Sequence, residues 1–296
     1  MRVWVRIAIL LLFSMPGWAQ PALVLQSDFG VKDGAVAAMK GVAISVSPAL
    51  PIYDLTHEIP AYNIWEAALR LEQTAEYWPA GTVFVSVVDP GVGSQRKSVV
   101  LRTRSGHYFV TPDNGTLTFV TSRLGIAAVR EIDEATNRRK NSDRSYTFHG
   151  RDVYAYTGAR LAAGVISFEQ VGPELPPRVV TIEHQPAHYE NGAVDGNIPI
   201  LDVQYGNVWT NIDRDTFEQL RLSTGDLVEV TIRHGSSIVA RLQAPYLTTF
   251  ASAPAGQPLL YLNSLDNVAL ALNQASFADQ HHVQSGPTWS IHLSRK

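Results

Sequence analysis

The stretch VFVSVVDPGVGSQR (residues 83–96) joins an apolar run directly to a polar, glycine-rich loop. A continuous apolar run of this length is typical of a strand buried on both faces, as in a parallel sheet that helices cover. Ligands of such sheets bind beyond the carboxyl ends of the strands. The stretch therefore predicts a buried strand over residues 83–88, and it predicts that Asp89 and Arg96 in the following loop lie at a binding crevice.

The sequence around this stretch repeats the alternation of strand and helix. Strands are predicted at short apolar runs, over residues 22–25, 52–55, 83–88, 98–101 and 108–110. Helices are predicted where apolar residues recur at helical spacing, over residues 34–46, 64–77 and 152–163. This alternation favours an α/β fold with a largely parallel sheet for an N-terminal domain of residues 20–175.

The character of the sequence changes after residues 171–178 (VGPELPPR), where prolines favour a stiff connection. We expect a linker over residues 176–190. Beyond it, short strand-forming runs separated by turn residues predict a small antiparallel, β-barrel-like C-terminal domain over residues 191–296. Within that domain only residues 268–275 have the spacing of a helix.

The first nineteen residues have the pattern of a secretory signal peptide. Arg2 and Arg6 precede a short apolar run at residues 7–13, and small residues lead up to Ala19. The run is shorter than the roughly 20 residues that a membrane-spanning helix needs. We therefore expect cleavage after Ala19 and export, with the periplasm as the location and no membrane attachment of the mature chain. An uncleaved anchor or a buried first strand is the alternative.

Composition excludes several functional classes. The 296-residue chain has a formal net charge of −3, which argues against a general nucleic-acid binder. It has no cysteine, which excludes thiolate metal sites and cysteine nucleophiles. No set of residues has metal-ligand spacing, so we predict neither a metal nor a cofactor. The cationic segment 137–144 lies among acidic residues and is interpreted as a solvated loop.

Three polar loops are candidates for a functional site. They occupy residues 27–30, 89–96 and 148–152. If they converge on one crevice, Asp89, Arg96 and His149 supply a proton acceptor, a fixed cation and a second titratable group. Taken singly, each carboxylate is more simply explained as a helix cap or a loop brace.

Seven stretches together resemble the S-adenosyl-L-methionine hydroxide adenosyltransferases, relatives of the fluorinating and chlorinating enzymes that attack the same substrate with halide. They run in family order at residues 27–41, 54–59, 87–99, 112–118, 148–152, 205–212 and 261–264. Among them are SDFGVKDG at the start of the first stretch, DLTHEI at 54–59, FHGRD at 148–152 and YGNVWTNI at 205–212. The resemblance implies hydrolysis of S-adenosyl-L-methionine to adenosine and L-methionine. It also implies an α/β domain, a β-barrel domain and a homotrimer with active sites between subunits.

The resemblance also implies roles for individual residues. The catalytic Asp, Arg and His of the hydroxide enzymes match Asp89, Arg96 and His149. The halide enzymes have Tyr at the position of Asp89 and Ser at that of Gly150. The positions implied to bind substrate are Asp28, Asp33, Phe148, Asp202, Tyr205, Asn207, Trp209, Phe250, Asn263 and Ser264.

Among these binding positions, Asp28 matches the residue that holds the ribose diol, and Asp33 and Asp202 match carboxylates near the methionine portion. Tyr205 and Phe250 match aromatic residues that flank adenine. The segment 265–267 (LDN) departs from the family, because the halide enzymes have there an arginine that helps to hold the methionine carboxylate.

Two other functions stay open at the level of sequence. One is an exported protein that binds or senses an adenosyl ligand with little turnover, and product formation separates it from an enzyme. The other is a halide adenosyltransferase, which Asp89 and Gly150 disfavour. The identity of the proton acceptor is open as well, because Arg96 would orient Asp89 but also weaken it as a base relative to His149.

Overall fold

The computed structural model describes residues 21–296. The predicted signal peptide, residues 1–19 with its cleavage after Ala19, lies outside the described residues. Within residues 21–296, none of the helices has the length and apolar character needed to cross a membrane.

The N-terminal part of the described chain forms one seven-stranded sheet with helices on both faces. Its strands are β1 (Leu23–Ser27), β2 (Ile52–Thr56), β3 (Val83–Val87), β4 (Ser98–Thr103), β5 (Tyr108–Pro112), β6 (Ile126–Glu131) and β7 (Glu174–Leu175). Its helices are α1 (Ala35–Val46), α2 (Ile64–Ala75), α3 (Thr118–Leu124), α4 (Glu134–Asn137), a π-helix (Gly150–Ala155), α5 (Tyr156–Ala162) and a 3-10 turn (Phe168–Val171).

The sheet is mixed, in the order β2-β1-β3-β5-β4-β6-β7. Strands β2, β1, β3 and β5 run parallel, whereas β4, β6 and β7 join antiparallel. The prediction of a largely parallel sheet therefore describes only one half of it. The reason is local: β4 and β5 are joined by a tight turn at Ser105-Gly106, and a connection this short permits only an antiparallel pair.

Two apolar layers hold the helices on this sheet. Met39 and Ala43 of α1 and Ala159 of α5 share a core with Leu23 and Val85 on one face. Leu71 of α2 and Val120 of α3 share a core with Phe84 on the other face. Because the strands are covered on both sides, their carboxyl ends are the edge at which polar loops gather.

The C-terminal part forms two antiparallel sheets. Its strands are β8 (His188–Glu190), β9 (Ala193–Asn197), β10 (Ile200–Leu201), β11 (Val208–Asp213), β12 (Leu227–His234), β13 (Ser237–Pro245), β14 (Pro258–Leu262), β15 (Asn267–Leu272) and β16 (Trp289–Arg295). Its helices are α6 (Arg214–Glu218), a 3-10 turn (Phe250–Ser252) and α7 (Phe277–His281). The sheet orders are β10-β11-β15-β14 and β13-β12-β16-β9-β8.

One core of buried side chains joins the two C-terminal sheets, including Val208 and Leu270 from one sheet and Val230 and Ile291 from the other. A closed barrel is not confirmed. The prediction of a helix over residues 268–275 is wrong, because residues 268–272 belong to β15, between β11 and β14, and residues 273–275 follow it in a turn. A short apolar run that is buried throughout does not distinguish strand from helix by its spacing.

The segment predicted as a linker follows the surface of the α/β region. Residues 176–187 contain neither helix nor strand, while His188–Glu190 form β8. Backbone N–H groups of Val180 and Ile182 donate to Asp113 and Thr118. These contacts hold the connection against the end of β5 and the start of α3.

Candidate active site

The three residues predicted as catalytic lie together at the carboxyl edge of the parallel strands. Arg96 Nε donates to Asp89 Oδ1 at 2.9 Å, and Arg96 Nη2 donates to Asp89 Oδ2 at 2.5 Å. The same Nη2 lies 3.0 Å from His149 Nδ1. Asp89 and Arg96 thus form a bidentate carboxylate–guanidinium pair, whose geometry is directionally specific. The imidazole of His149 lies beside this pair.

This cluster is shielded from solvent. The side chains of Asp89 and Arg96 are 6% and 10% exposed, and His149 is buried. Burial opposes the charge of Arg96, but hydrogen bonding with Asp89 and nearby negative charge outweigh it, and the pKa of Arg96 is raised. Burial lowers the pKa of His149, and the positive charges of Arg96 and Arg138 lower it further against the opposite influence of Glu134 and Asp89. Burial and the two neighbouring cations therefore favour the uncharged form of His149.

A further arginine, which the sequence interpretation missed, contacts the other side of His149. Arg138 Nη2 lies 3.0 Å from His149 Nε2 and donates to Glu134 Oε2 at 2.5 Å. The interpretation of residues 137–144 as a solvated loop is wrong for this residue, since its side chain is only 8% exposed. The four-residue spacing of Glu134 and Arg138, typical of an ion pair on a helix, was the available signal.

Asp28 lies beside this cluster, because β1 and β3 are parallel neighbours with Ser27 opposite Val87. The backbone N–H of Asp28 donates to Val87 O at 3.4 Å, and Asp28 Oδ2 accepts the backbone N–H of Tyr62 at 2.9 Å. One carboxylate oxygen is thus used for the loop, and the other is free of hydrogen bonds within the described residues. The structure brings Asp28 to the same edge of the sheet as Asp89.

A second buried histidine holds the Asp28 loop in place. His57 Nδ1 lies 2.7 Å from Ser27 Oγ, and its Nε2 lies 3.0 Å from Asp54 Oδ1. The carbonyl of His57 accepts the N–H of Gly30 at 2.7 Å. The stretch DLTHEI thus contributes His57, which holds the loop that carries Asp28.

Two other predicted residues of this region have clear local roles. Asp33 is exposed, and its Oδ1 accepts the backbone N–H of Ala35 at the start of α1. The ring of Phe148 meets the ring of Phe29 edge to face at 5.6 Å. The structure therefore places Phe148 next to the Asp28 loop, and it shows Asp33 as a brace for α1.

All seven substrate-binding positions predicted in the C-terminal part line one cavity of about 640 Å³: Asp202, Tyr205, Asn207, Trp209, Phe250, Asn263 and Ser264. Sequence reasoning missed Tyr261, whose ring lies 4.8 Å from that of Phe250 in the same wall. None of the three residues predicted as catalytic lines this cavity. One chain thus holds two separate groups of predicted residues, which we call the two half-sites: Asp28 with Asp89, Arg96 and His149 at the strand ends, and the seven residues of the cavity.

The C-terminal cavity carries polar groups without partners. Trp209 Nε1 and Asn263 Nδ2 are buried donors that make no hydrogen bond within residues 21–296. Asp202 and Asn207 close a tight turn, in which the N–H of Asp202 donates to Asn207 O at 2.9 Å. Buried donors left unpaired cost free energy, so a cavity that keeps them is suited to a polar ligand.

The segment 265–267, which departs from the family pattern, contains an acidic residue in an ion pair. Asp266 accepts from Arg214 Nε at 2.9 Å and from Arg214 Nη2 at 2.5 Å, and both side chains are largely exposed. Across the described residues, no three His, Asp or Glu side chains are grouped so as to hold a metal ion.

The fold and the two half-sites define a class of protein: an α/β region with a polar triad at its strand ends, joined to a β region with an aromatic cavity. Residues 23–172 match the SAM hydroxide adenosyltransferase N-terminal domain, and residues 196–290 match the corresponding C-terminal domain. The chain belongs to the S-adenosyl-L-methionine hydroxide adenosyltransferase family, and the resemblance inferred from its seven stretches is confirmed.

Similar proteins include enzymes of two kinds. An (R)-S-adenosyl-L-methionine hydrolase of Salinispora tropica is 36% identical, with 90% of this chain and 95% of that protein aligned. A fluorinase of an Actinoplanes species is 28% identical, with 94% and 99% aligned. The crystal structure of an uncharacterized conserved protein from Thermotoga maritima superposes with a TM-score of 0.85 at 34% identity, covering 92% of this chain and 100% of that one.

Proposed function

We propose that this protein hydrolyses S-adenosyl-L-methionine to adenosine and L-methionine. The observation that carries the proposal is the hydrogen-bonded cluster of Asp89, Arg96 and His149 next to Asp28. The relatives of this chain include named hydrolases of this substrate. The substrate is a sulfonium cation, and its C5′ carbon is open to in-line displacement. The sulfur leaves as a neutral thioether, so the departing group needs no proton.

The chemical demand therefore lies with water. The oxygen of water forms a bond to C5′, the C5′–S bond breaks with its electron pair going to sulfur, and water loses one proton to the protein. A weak nucleophile gains most from being held opposite the leaving group in a dry site. The low exposure of Asp89 and Arg96 fits such a site.

Asp89 is the group that accepts the proton in this proposal. Each ring nitrogen of His149 lies 3.0 Å from an arginine nitrogen, so neither nitrogen is directed at water. Each oxygen of Asp89 keeps a second lone pair beyond its bond to Arg96. The two hydrogen bonds from Arg96 fix the direction of the Asp89 carboxylate, so orientation of the water is the main contribution of Asp89.

The two half-sites divide the recognition of substrate. Asp28 suits a vicinal diol, because carboxylate oxygens accept hydrogen bonds from hydroxyl groups. The aromatic walls formed by Phe250 and Tyr261 suit a flat purine, while the unpaired donors of Trp209 and Asn263 suit its polar edge or the methionine end. The carboxylates near both half-sites favour a cationic substrate.

The active form in this proposal is a homotrimer in which the triad of one subunit meets the cavity of the next. The support is that a single chain keeps its two half-sites apart. Large apolar and aromatic side chains are also exposed near them, including Tyr62 at 72%, Tyr205 at 66% and Val203 at 80%. Sedimentation velocity of the wild-type protein tests this part, and a monomer with full activity would overturn it.

The test of function is incubation of residues 20–296 with S-adenosyl-L-methionine, with and without chloride, followed by chromatography and mass spectrometry. We expect adenosine and methionine in equal amounts, independent of chloride and absent with Asp89→Ala. A chloride-dependent chlorinated nucleoside would show a halide adenosyltransferase instead. Bound but unreacted substrate would show a binding or sensing protein.

The location of the protein forms a separate proposal. Arg2, Arg6 and the apolar run that follows support a signal peptide cleaved after Ala19, with export to the periplasm. Expression of the whole chain in a Gram-negative host, with fractionation and an intact mass, tests it. We expect a periplasmic product that begins at Gln20, and a full-length cytoplasmic product would contradict it.

A further inference from the structure

The imidazole of His149 lies between two guanidinium groups. Arg96 Nη2 is 3.0 Å from its Nδ1, and Arg138 Nη2 is 3.0 Å from its Nε2. Each arginine carries its own carboxylate, Asp89 on one side and Glu134 on the other. Five charged or titratable groups thus form one continuous chain, with His149 at its centre.

This placement has a direct consequence for the ring. A neutral imidazole has one lone pair and one N–H, so it accepts a hydrogen bond from only one arginine at a time. A second ring proton is opposed from both sides, because each nitrogen already faces a cation. The rings of Tyr146 and Tyr154 are tilted steeply against the ring of His149, at centroid distances of 6.4 and 6.5 Å.

Arg138 is itself held in position. Its Nη2 donates to Glu134 Oε2 at 2.5 Å, and its guanidinium lies 4.7 Å from the ring centre of Tyr146. Its side chain is 8% exposed. The helix that carries Glu134 is fixed in turn, since Asp133 Oδ1 accepts the N–H of Ala135 at 3.0 Å.

We propose that Arg138, held by Glu134, is a positioning residue for the hydrolysis: it fixes the ring of His149 in its uncharged form against Arg96, and so keeps Arg96 aligned on Asp89. Arg138 acts through His149 and does not touch the substrate. The role deepens the proposed function and rests on it, whereas the state of the His149 ring is measured without turnover.

The experiment compares the wild-type protein with Arg138→Gln, Arg138→Lys and Glu134→Gln. Arg144→Gln is the matched control, since Arg144 lies in the same segment and is exposed. Titration of His149 is followed by NMR of ¹³Cε1-labelled histidine, with the signal assigned by its loss in His149→Asn. Activity is recorded as kcat and KM for S-adenosyl-L-methionine across pH.

The variants have distinct expected results. Arg138→Gln raises the pKa of His149, because one facing cation is lost while Glu134 stays, and it lowers kcat by about tenfold to a hundredfold with KM nearly unchanged. Glu134→Gln lowers the pKa of His149, because a facing negative charge is lost. Arg138→Lys keeps the charge, holds that pKa low, and restores part of kcat. Arg144→Gln changes neither quantity.

Other results would overturn the proposal. An unchanged His149 titration in Arg138→Gln, or a kcat equal to that of Arg144→Gln, would show that Arg138 does not position the ring. If Arg138→Gln fails to fold, the His149 pKa in Glu134→Gln decides. A lowered pKa agrees with the proposal, and an unchanged or raised pKa overturns it. A wild-type protein that forms no adenosine would refute the proposed function and, with it, the role in hydrolysis, even if His149 titrates as expected.

Discussion

The two half-sites of this protein are built on opposite plans. In the α/β half-site, which we call the closed half, Asp89, Arg96 and His149 form a connected cluster that is shielded from solvent. In the β half-site, which we call the open half, the cavity keeps Trp209 Nε1 and Asn263 Nδ2 without partners within the described residues. Groups that must hold one geometry through a reaction are bonded to each other. Groups that receive a ligand are left to be satisfied by it, at a cost to the free protein.

The largest expected effect comes from the closed half. Asp89→Ala removes the proposed proton acceptor and the partner of Arg96, so we expect kcat to fall by about a thousandfold while substrate affinity changes little. Single-turnover kinetics and equilibrium binding measure the two quantities separately. Asp89→Asn is the matched variant that keeps the shape and loses the basicity. An equal loss in kcat and affinity would remove the contrast between the half-sites.

A smaller loss is expected when the closed half keeps its charge but loses its geometry. Lysine cannot reproduce the bidentate hydrogen bonding of Arg96 with Asp89. We therefore expect Arg96→Lys to lower kcat by about a hundredfold, with the position of the carboxylate as the cause. Steady-state kinetics provides the measurement. Retention of full activity would mean that charge alone is required there.

The open half predicts the reverse pattern. Trp209→Phe keeps the aromatic wall and removes the unpaired N–H, so KM should rise by roughly five- to tenfold with kcat preserved, the equivalent of one hydrogen bond. Calorimetric binding of substrate to an Asp89→Ala background checks this without turnover. If affinity is unchanged, Trp209 Nε1 does not meet the ligand.

A glycine of the closed half shows how tightly it is packed. A Cβ at Gly150 would lie 3.0 Å from Val87 and 3.1 Å from the ring of Phe29. We expect Gly150→Ser to lower the free energy of unfolding by about 1 kcal/mol through overpacking, and to leave the enzyme without halide activity while Asp89 is present. Thermal melting and a chloride assay test both points, and an unchanged melting temperature would show that Phe29 moves aside freely.

The sequence predicted this organisation to different depths. Local periodicity was enough for α1, α2 and the central strands, and the resemblance singled out Asp89, Arg96 and His149, which the structure places in contact. Sequence reasoning failed for β15, where a fully buried apolar run has no distinguishing period, and for Arg138, which is buried where residues 146–149 fold back against it. A charged segment looks the same in sequence whether it faces water or a buried histidine.

The smallest effect is expected outside both half-sites, at Asp266. This residue has a φ of 63°, a conformation that Asn tolerates as well as Asp, so Asp266→Asn changes the charge and keeps the turn. Its ion pair with Arg214 is largely exposed and competes with water. We expect no measurable change in melting temperature and less than about a twofold change in kcat/KM. Arg214→Gln is the matched variant from the other side of the pair. A rise in KM shared by both variants would place this pair at the methionine end of the substrate, and would extend the open half beyond the cavity.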